Sequence, residues 1–340
     1  MILSICIPTY NRKNFLKQSL IEIIKQAEEK RLLIEICISD NASSDGTEYM
    51  VTEFKESNFV KIVFSQNDKN IGPDLNYLKS VDLASGAFCW FMGSDDVIAP
   101  NSLSRVLDII KNCKSDIILF NRLDCDIEMN VFGKTKWNKF TEKSTFNLNK
   151  DKDLIRYFNN SQSLGAVFSY LSSIVFRREK WYQIEYDNLF TGTAYSHVFM
   201  LLSFKNHQSK LTVYPEYLVY CRHGNDYFSK DGFIKRFLID IDGYLLLDKI
   251  FFVENSDVSR SFLNIMKREH KFFFLNFIKS KCDEETWKTI LNKLKNYNYN
   301  NTLLYLITKT PRFINVSLFR ISVILKKICR QSRLVTFLQR

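Results

Sequence analysis

The chain has 340 residues, 46% hydrophobic and 25% charged, enough to bury a full core in one large domain or two and too apolar for a disordered tail. Its 48 basic residues against 37 acidic give a net +11, yet no Asp or Glu follows Glu285, while eleven basic residues lie between Lys288 and Arg340. Residues 1–285 are therefore charge-balanced, which argues against nucleic acid as a partner and for a basic C-terminal segment that meets an anionic surface. The eight cysteines form no CxxC pair; Cys6, Cys37 and Cys89 sit inside apolar runs and read as small core residues in a reducing compartment.

The opening MILSICIPTYNR enters a strand pattern directly, with no basic n-region or small-residue cleavage site, so no signal peptide is expected. Residues 3–8 form the first strand, and Leu16, Leu20, Ile23, Ile24 and Ala27 recur at helical spacing from Asn14 to Lys30. Ile34–Ser39 is the second strand, followed by a helix through Met50 and Phe54. Asp45 ahead of that helix and Asn101 ahead of a later one read as N-caps. Lys61–Ser65 is the third strand; Pro73 then opens a helix through Leu75, Leu78 and Val81, and Phe88–Met92 is the fourth. Strands alternating with helices predict an α/β fold whose sheet is mostly parallel and covered on both faces. Ile117–Phe120, Leu171–Arg177 and Leu211–Tyr220 read as further strands, and Ser196–Lys205 as a helix. Asp124–Asp151 shows no clean period and reads as an irregular excursion. Beyond Phe233 the chain is helical in pattern to its end.

Polar residues gather where strands stop. Thr9, Tyr10 and Asn11 follow the first strand, Asp40 and Asn41 end the second, and Asp95 and Asp96 end the fourth. In an open parallel sheet such positions converge on one crevice at the carboxyl ends of the strands. Two adjacent carboxylates repel unless a cation sits between them, so Asp95 and Asp96 read as a metal site. The first glycine of the chain is Gly46, so neither a Walker A loop nor a GxGxxG turn follows the first strand. Phosphates there would have to be neutralised by a divalent cation, Mg or Mn.

IPTYNR (Ile7 to Arg12), ISDNASSDGT (Ile38 to Thr47), NIGPDLNYLKSVDLASG (Asn70 to Gly86) and WFMGSDD (Trp90 to Asp96) together resemble the successive signatures of family 2 glycosyltransferases of the GT-A fold. The resemblance is close over about the first 110 residues, extends more loosely to His223, and points to the bacterial O-antigen and capsule type that includes abequosyltransferases. It implies a GT-A, Rossmann-like domain over 1–225; the residue pattern beyond it adds a helical region over 226–310 and a basic amphipathic, membrane-associating tail over 311–340. For the donor, a nucleoside-diphosphate sugar, it implies Pro8, Thr9, Tyr10, Asn11, Arg12, Asp40, Asn41, Asn70, Gly72, Asn76, Ser94, Asp95 and Arg222. In the DxD-like element Gly93 stands where the first acid often is, and Asp95 is the usual metal ligand. Tyr220-Cys221-Arg222-His223 resembles a late family element, so His223 joins Asp95 and Asp96 as an expected ligand.

Relatives commonly carry an acidic pair at the start of a downstream helix, one member being the general base. Here that stretch, Thr191 to His197, contains no acid. His197 is its only residue with a pKa suited to a base near neutral pH, and Asp187 is the alternative. From Pro311 to Arg340, seven basic residues are interleaved with apolar ones, a pattern too charged to span a bilayer and suited to lie on one. The expectation is an inverting transferase on the inner face of the cytoplasmic membrane that glycosylates a lipid-linked oligosaccharide for surface polysaccharide. A catalytically inactive nucleotide-sugar-binding protein and a sugar-phosphate nucleotidyltransferase stay open as alternatives.

Overall fold

Four strand–helix units open the chain: β1 (Leu3–Thr9), α1 (Lys13–Glu29), β2 (Ile34–Asp40), α2 (Thr47–Thr52), β3 (Val60–Gln66), α3 (Pro73–Asp82), β4 (Phe88–Phe91), β5 (Val97–Ile98) and α4 (Ser102–Asn112). The computed structural model describes residues 2–54, 58–225, 232–311 and 314. Every residue of β1 and β2 is buried, as befits central strands covered on both faces. Ile5 and Ile7 enter a core on one side of the sheet with Leu16, Leu20 and Ile23 of α1. Cys6 enters a second core on the other side with Cys37 and Cys89, the period-2 division that a pleated strand imposes. All seven cysteines among the described residues are free and buried.

The sheet continues with β6 (Ile117–Cys125), β7 (Val131–Thr135), β8 (Ser144–Asn147), α5 (Asp151–Asn160), β9 (Ile174–Arg177), α6 (Arg178–Trp181), α7 (Ser196–Ser203) and β10 (Lys210–Arg222). Its order is β3-β2-β1-β4-β9-β6-β10-β5, with β7 beside β6 and β8 beside β10. The first four strands pair in parallel, but β9 runs against both neighbours, and β5, β7 and β8 are antiparallel to theirs. The sheet is thus parallel in its N-terminal half and mixed in the rest. β9 enters between β4 and β6 after a long excursion that brings the chain back from the carboxyl ends of the strands, so it arrives running the other way. That excursion is more regular than its sequence suggests. β7 and β8 are short flanking strands; β7 has no buried residue and β8 buries only Phe146, so neither carries an apolar alternation to read.

The expected caps differ in detail. Asp45 clamps the starts of two helices, accepting from Thr47 N (3.1 Å) and Thr47 Oγ1 (2.6 Å) and from Lys13 N (2.8 Å). Asn101 has a left-handed backbone and no side-chain cap bond.

The C-terminal helices α8 (Phe233–Phe251), α9 (Ser256–Glu269), α10 (Phe272–Lys281), α11 (Glu284–Leu294) and α12 (Asn301–Lys309) bury Tyr244, Phe262, Trp287 and Ile307 in the core that already holds Phe91, Phe176 and Tyr195. They share the body's core and form one wall of its crevice. Gly243 of α8 is where that wall closes: a Cβ there would overlap the Tyr195 ring. No described helix is long and apolar enough to cross a membrane. The basic tail expected over 311–340 lies, apart from Pro311 and Ile314, outside the described residues.

Candidate active site

Six strands, β1, β2, β3, β4, β6 and β10, point the same way, and a cavity of about 730 Å³ opens at their carboxyl ends. Pro8, Thr9, Tyr10 and Arg12 reach it from the end of β1, Gly72 and Asn76 from the start of α3, Ser94, Asp95 and Asp96 from the turn after β4, and Arg222 and His223 from the end of β10. Asn41, Asn70 and His197 also line it. Asn11, Asp40 and Asp187 do not.

Asp40 is fully buried and accepts from Ser43 Oγ and from Gln66 Nε2 (2.8 Å). Asn11, in the left-handed region with φ 50°, donates its N–H to Ser43 Oγ (2.8 Å) and accepts from Ser44 N (2.9 Å). The two residues thus brace the loops after β1 and β2 against each other. Asn41 Nδ2 donates to Asn70 Oδ1 (2.8 Å), and Asn76 Nδ2 to Ser39 O (3.0 Å), so these amides fix the floor beside Tyr10.

The turn after β4 carries the acids in different states. Asp95 forms an ion pair with Arg12 (2.6 Å) and accepts from Asn225 Nδ2 (2.8 Å), both at Oδ2. Asp96 is buried; Tyr170 OH (2.7 Å) and Ser172 Oγ donate to its Oδ2, and Arg222 N (3.3 Å) to its Oδ1. Burial and then the neighbouring Asp95 charge push its pKa up to about 6, against the pull of the Ser172 and Tyr170 hydroxyls and Arg122. A Cβ at Gly93 would lie 2.9 Å from Asp96 Oδ2 and 3.1 Å from Asp95 Oδ1. A larger residue there would have to displace the two carboxylates of the turn.

These donors fit a cation held by Asp95, whose Oδ1 accepts no hydrogen bond from a described residue, alongside oxygens of a diphosphate. Asp96 fits less well as a direct ligand, because both its oxygens accept from the protein; it supports the turn. His223 is drawn elsewhere. Its Nε2 meets Asp124 Oδ1 at 3.0 Å, and with Asp124 and Cys221 it forms the group of potential ligand atoms that lie within 4.8 Å of one another. Arg222 is likewise committed: it donates to Asp95 O (3.0 Å), Ile127 O and Gln18 Oε1 (2.5 Å) and lies over Phe15. That guanidinium ties β10 to α1 and to the acidic turn and has little left for a phosphate.

The two expected bases are poorly placed. His197 is buried, its Nε2 bonded to Phe168 O (2.9 Å) and its ring edge-on to Tyr77; burial lowers its pKa to about 4, too low for an effective base near neutral pH. Asp187 caps a short 3-10 turn by accepting from Leu189 N (2.9 Å). The stretch that lacks acids is held by one from elsewhere: Asp74 accepts the N–H groups of Gly192 and Ala194 (both 2.9 Å) and Ser196 (3.2 Å).

The remaining wall was not legible in the sequence. Arg122 stacks on Trp137 and Tyr170, 5.0 and 4.5 Å from their rings. Tyr195, Arg236, Asp240, Glu269 and His270 line the side facing α8 and α9. No local motif marks them, because they meet only when the C-terminal helices pack.

Residues 4–180 match the family model described as glycosyl transferase family 2. Over 81% of this chain and 82% of the relative, the sequence is 40% identical to abequosyltransferase RfbV of Salmonella typhimurium. The chain belongs to glycosyl transferase family 2. A second relative in the family, the GalNAc(5)-diNAcBac-PP-undecaprenol β-1,3-glucosyltransferase of Campylobacter jejuni, is 36% identical over 31% of this chain and 33% of its own. Among solved structures, S. aureus TarS 1–349 in complex with UDP-GlcNAc superposes with a TM-score of 0.63 at 17% identity, covering 94% of this chain and 90% of TarS. Mannosyltransferase PcManGT from Pyrobaculum calidifontis, in complex with GDP-Man and Mn2+, gives 0.51 at 12% identity, with 93% and 86% covered. Both share the GT-A-like architecture, and the family's enzymes invert the anomeric centre they transfer.

Proposed function

We propose that this transferase moves a sugar from a nucleoside-diphosphate donor to a hydroxyl of a lipid-linked oligosaccharide in surface polysaccharide synthesis. The observation that carries the reading is the strand-end cavity, which Tyr10 lines and in which Arg12 pairs with Asp95. The side chains and backbone of β1 and of the loops after β2 and β3 would hold the nucleoside. Arg12 would exchange its contact with Asp95 for one with the diphosphate. A divalent cation, Mg or Mn, bound through Asp95 would supply positive charge where the leaving group becomes more negative. The kinds of ligand named for TarS and PcManGT, and the undecaprenol-linked acceptor named for the C. jejuni relative, support donor, metal and acceptor class respectively.

A panel of nucleoside-diphosphate sugars tested with polyprenyl-diphosphate-linked acceptors, read by mass spectrometry, checks this. One pair is expected to yield a glycosylated lipid, and excess chelator to stop the reaction. Free sugar with every donor and no glycosylated lipid would count against it.

The basic tail supports a peripheral site on the cytoplasmic membrane face. Helix α12 already presents Tyr305 and Leu306 to solvent just ahead of it. Each Lys or Arg near an anionic leaflet contributes about 1 kcal/mol before screening. The full chain is therefore expected to sediment with anionic vesicles at low salt and to be released at high salt, while a chain ending at residue 310 stays in the supernatant. Equal binding to neutral and anionic vesicles would remove charge as the anchor, and no binding to either would remove the tail as a membrane segment.

A further inference from the structure

Among the described residues, four carboxylates line the cavity: Asp95, Asp96, Asp240 and Glu269. Three are engaged. Asp95 pairs with Arg12, Asp96 accepts from three protein donors, and Asp240 accepts from Tyr195 OH (2.8 Å) and pairs with Arg236 (2.9 Å). Glu269, the last residue of α9, differs from all of them. It is accessible to solvent, and among the described residues its carboxylate accepts only the Leu164 N–H, at Oε2 (3.0 Å), and forms no ion pair.

Its position is well anchored. The neighbouring Arg268 donates to Ser161 O (2.5 Å) and Phe158 O, and Tyr299 OH donates to His270 O (2.8 Å). The end of α9 is thereby pinned against the turn that carries Leu164. Although Glu269 is open to solvent, desolvation by the surrounding residues raises its carboxyl pKa, with the Asp240 charge adding to the effect and the Leu164 N–H opposing it, so the carboxylate is a better proton acceptor than a free one.

The surroundings suit a hydroxyl-rich ring. Trp137 and Tyr195 line the same cavity. Ser163 Oγ, His197 Nδ1 and His270 Nε2 are buried polar atoms with no partner among the described residues, and all belong to cavity-lining residues. Such orphaned groups in a native structure call for a ligand or water. The two histidines are poor bases, with burial lowering His197 to about 4 and His270 to about 3.

We propose that Glu269 is the general base and that the wall around it, with Trp137, Ser163, Tyr195 and His270, holds the acceptor sugar. The inference rests on the transferase reading above. As the acceptor oxygen forms its bond to the anomeric carbon, its proton passes to the Glu269 carboxylate. The bond from that carbon to the phosphate oxygen breaks, and its electron pair leaves with the nucleoside diphosphate. The base has thus moved from the start of α7, where the chain carries no acid, to the end of a C-terminal helix.

The test compares Glu269→Gln and Glu269→Asp in the full-length protein, using the donor and acceptor pair found in the panel. Gln keeps an oxygen to accept the Leu164 N–H but loses basicity, whereas Asp keeps basicity with a shorter reach. A base predicts the order Glu, then Asp, then Gln, with Gln lowering kcat by about 10²- to 10⁴-fold, KM for the donor little changed and melting temperature preserved. A residue that only anchors the turn predicts the reverse: Gln near wild type and Asp impaired. That order overturns the proposal, as does a loss confined to KM or to melting temperature, or a large loss in Asp187→Asn with Glu269→Gln fully active. Transfer by the wild type with an active Gln variant defeats the assignment of Glu269 alone; no transfer by the wild type defeats the functional reading and this assignment with it.

Discussion

Asp95→Ala is expected to lower sugar transfer on the order of 10³-fold while leaving the fold intact. The carboxylate stands on the cavity wall after β4, outside both hydrophobic cores, so its removal creates no cavity in the interior. What is lost is the acidic oxygen best placed to hold a cation against the donor diphosphate. What is left is an Arg12 without its 2.6 Å partner. That extra positive charge partly offsets the lost cation in binding the donor anion, so the defect should fall on kcat more than on donor affinity. Transfer kinetics and calorimetric nucleotide binding with the same preparation, each with and without divalent metal, check both halves of the expectation. A variant that keeps near-normal turnover in excess chelator would remove Asp95 and the cation from the reaction.

Glu35→Ala should produce the largest loss of stability, about 3 to 5 kcal/mol, with little effect on the turnover of the molecules that remain folded. Glu35 is fully buried near the start of β2. It accepts from Ser4 Oγ (2.7 Å) on β1, Lys61 Nζ (2.9 Å) on β3, and Ser85 N (2.7 Å) and Oγ (2.9 Å) in the turn before β4. One carboxylate therefore ties together four parallel strands at the end of the sheet opposite the cavity. Burial alone would raise its pKa, but the Ser85 N–H, Lys61 and the two hydroxyls outweigh it and bring the pKa from 4.5 down to about 2. A depressed carboxyl pKa stabilises the fold above the unfolded value and loses that contribution as pH falls through the folded one. The stability gap between wild type and Glu35→Gln should therefore be constant above about pH 5 and shrink from pH 4.5 toward 2. Chemical denaturation across that range measures it. A gap that does not change with pH would assign the effect to packing rather than charge.

The strand-end motifs and the far wall were not equally readable. Tyr10, Arg12, Asn41, Asn70, Gly72 and Asp95 each sit within a few residues of the strand or helix that aims them, so their placement on the cavity follows from local pattern. Asp40 and Asn11 carry the same local signal, yet they lie behind the cavity surface because Ser43 draws them together. Arg222 and His223 also follow a strand end, but Gln18 and Asp124 claim them from elements remote in sequence. A sequence pattern places a residue at the end of a strand; which partner its side chain takes depends on what packs against that end.

By itself the sequence determined the parallel half of the sheet, its carboxyl-end crevice, the acidic turn after β4 and the charge division between body and tail. Those features depend on alternation, helical spacing and composition, all of which are local or additive along the chain. Tertiary structure alone decided that β9 would run against its neighbours and that the carboxylates of Asp95 and Asp96 would crowd Gly93. It also decided that burial would weaken His197 as a base and that Glu269 and Trp137, 132 positions apart in the numbering, would line the same cavity. Each of these depends on a contact between segments whose meeting no local period encodes. The energy that brings α8 and α9 onto the sheet comes from burying Tyr244 and Phe262, residues whose apolar character says that they will be covered and not by what.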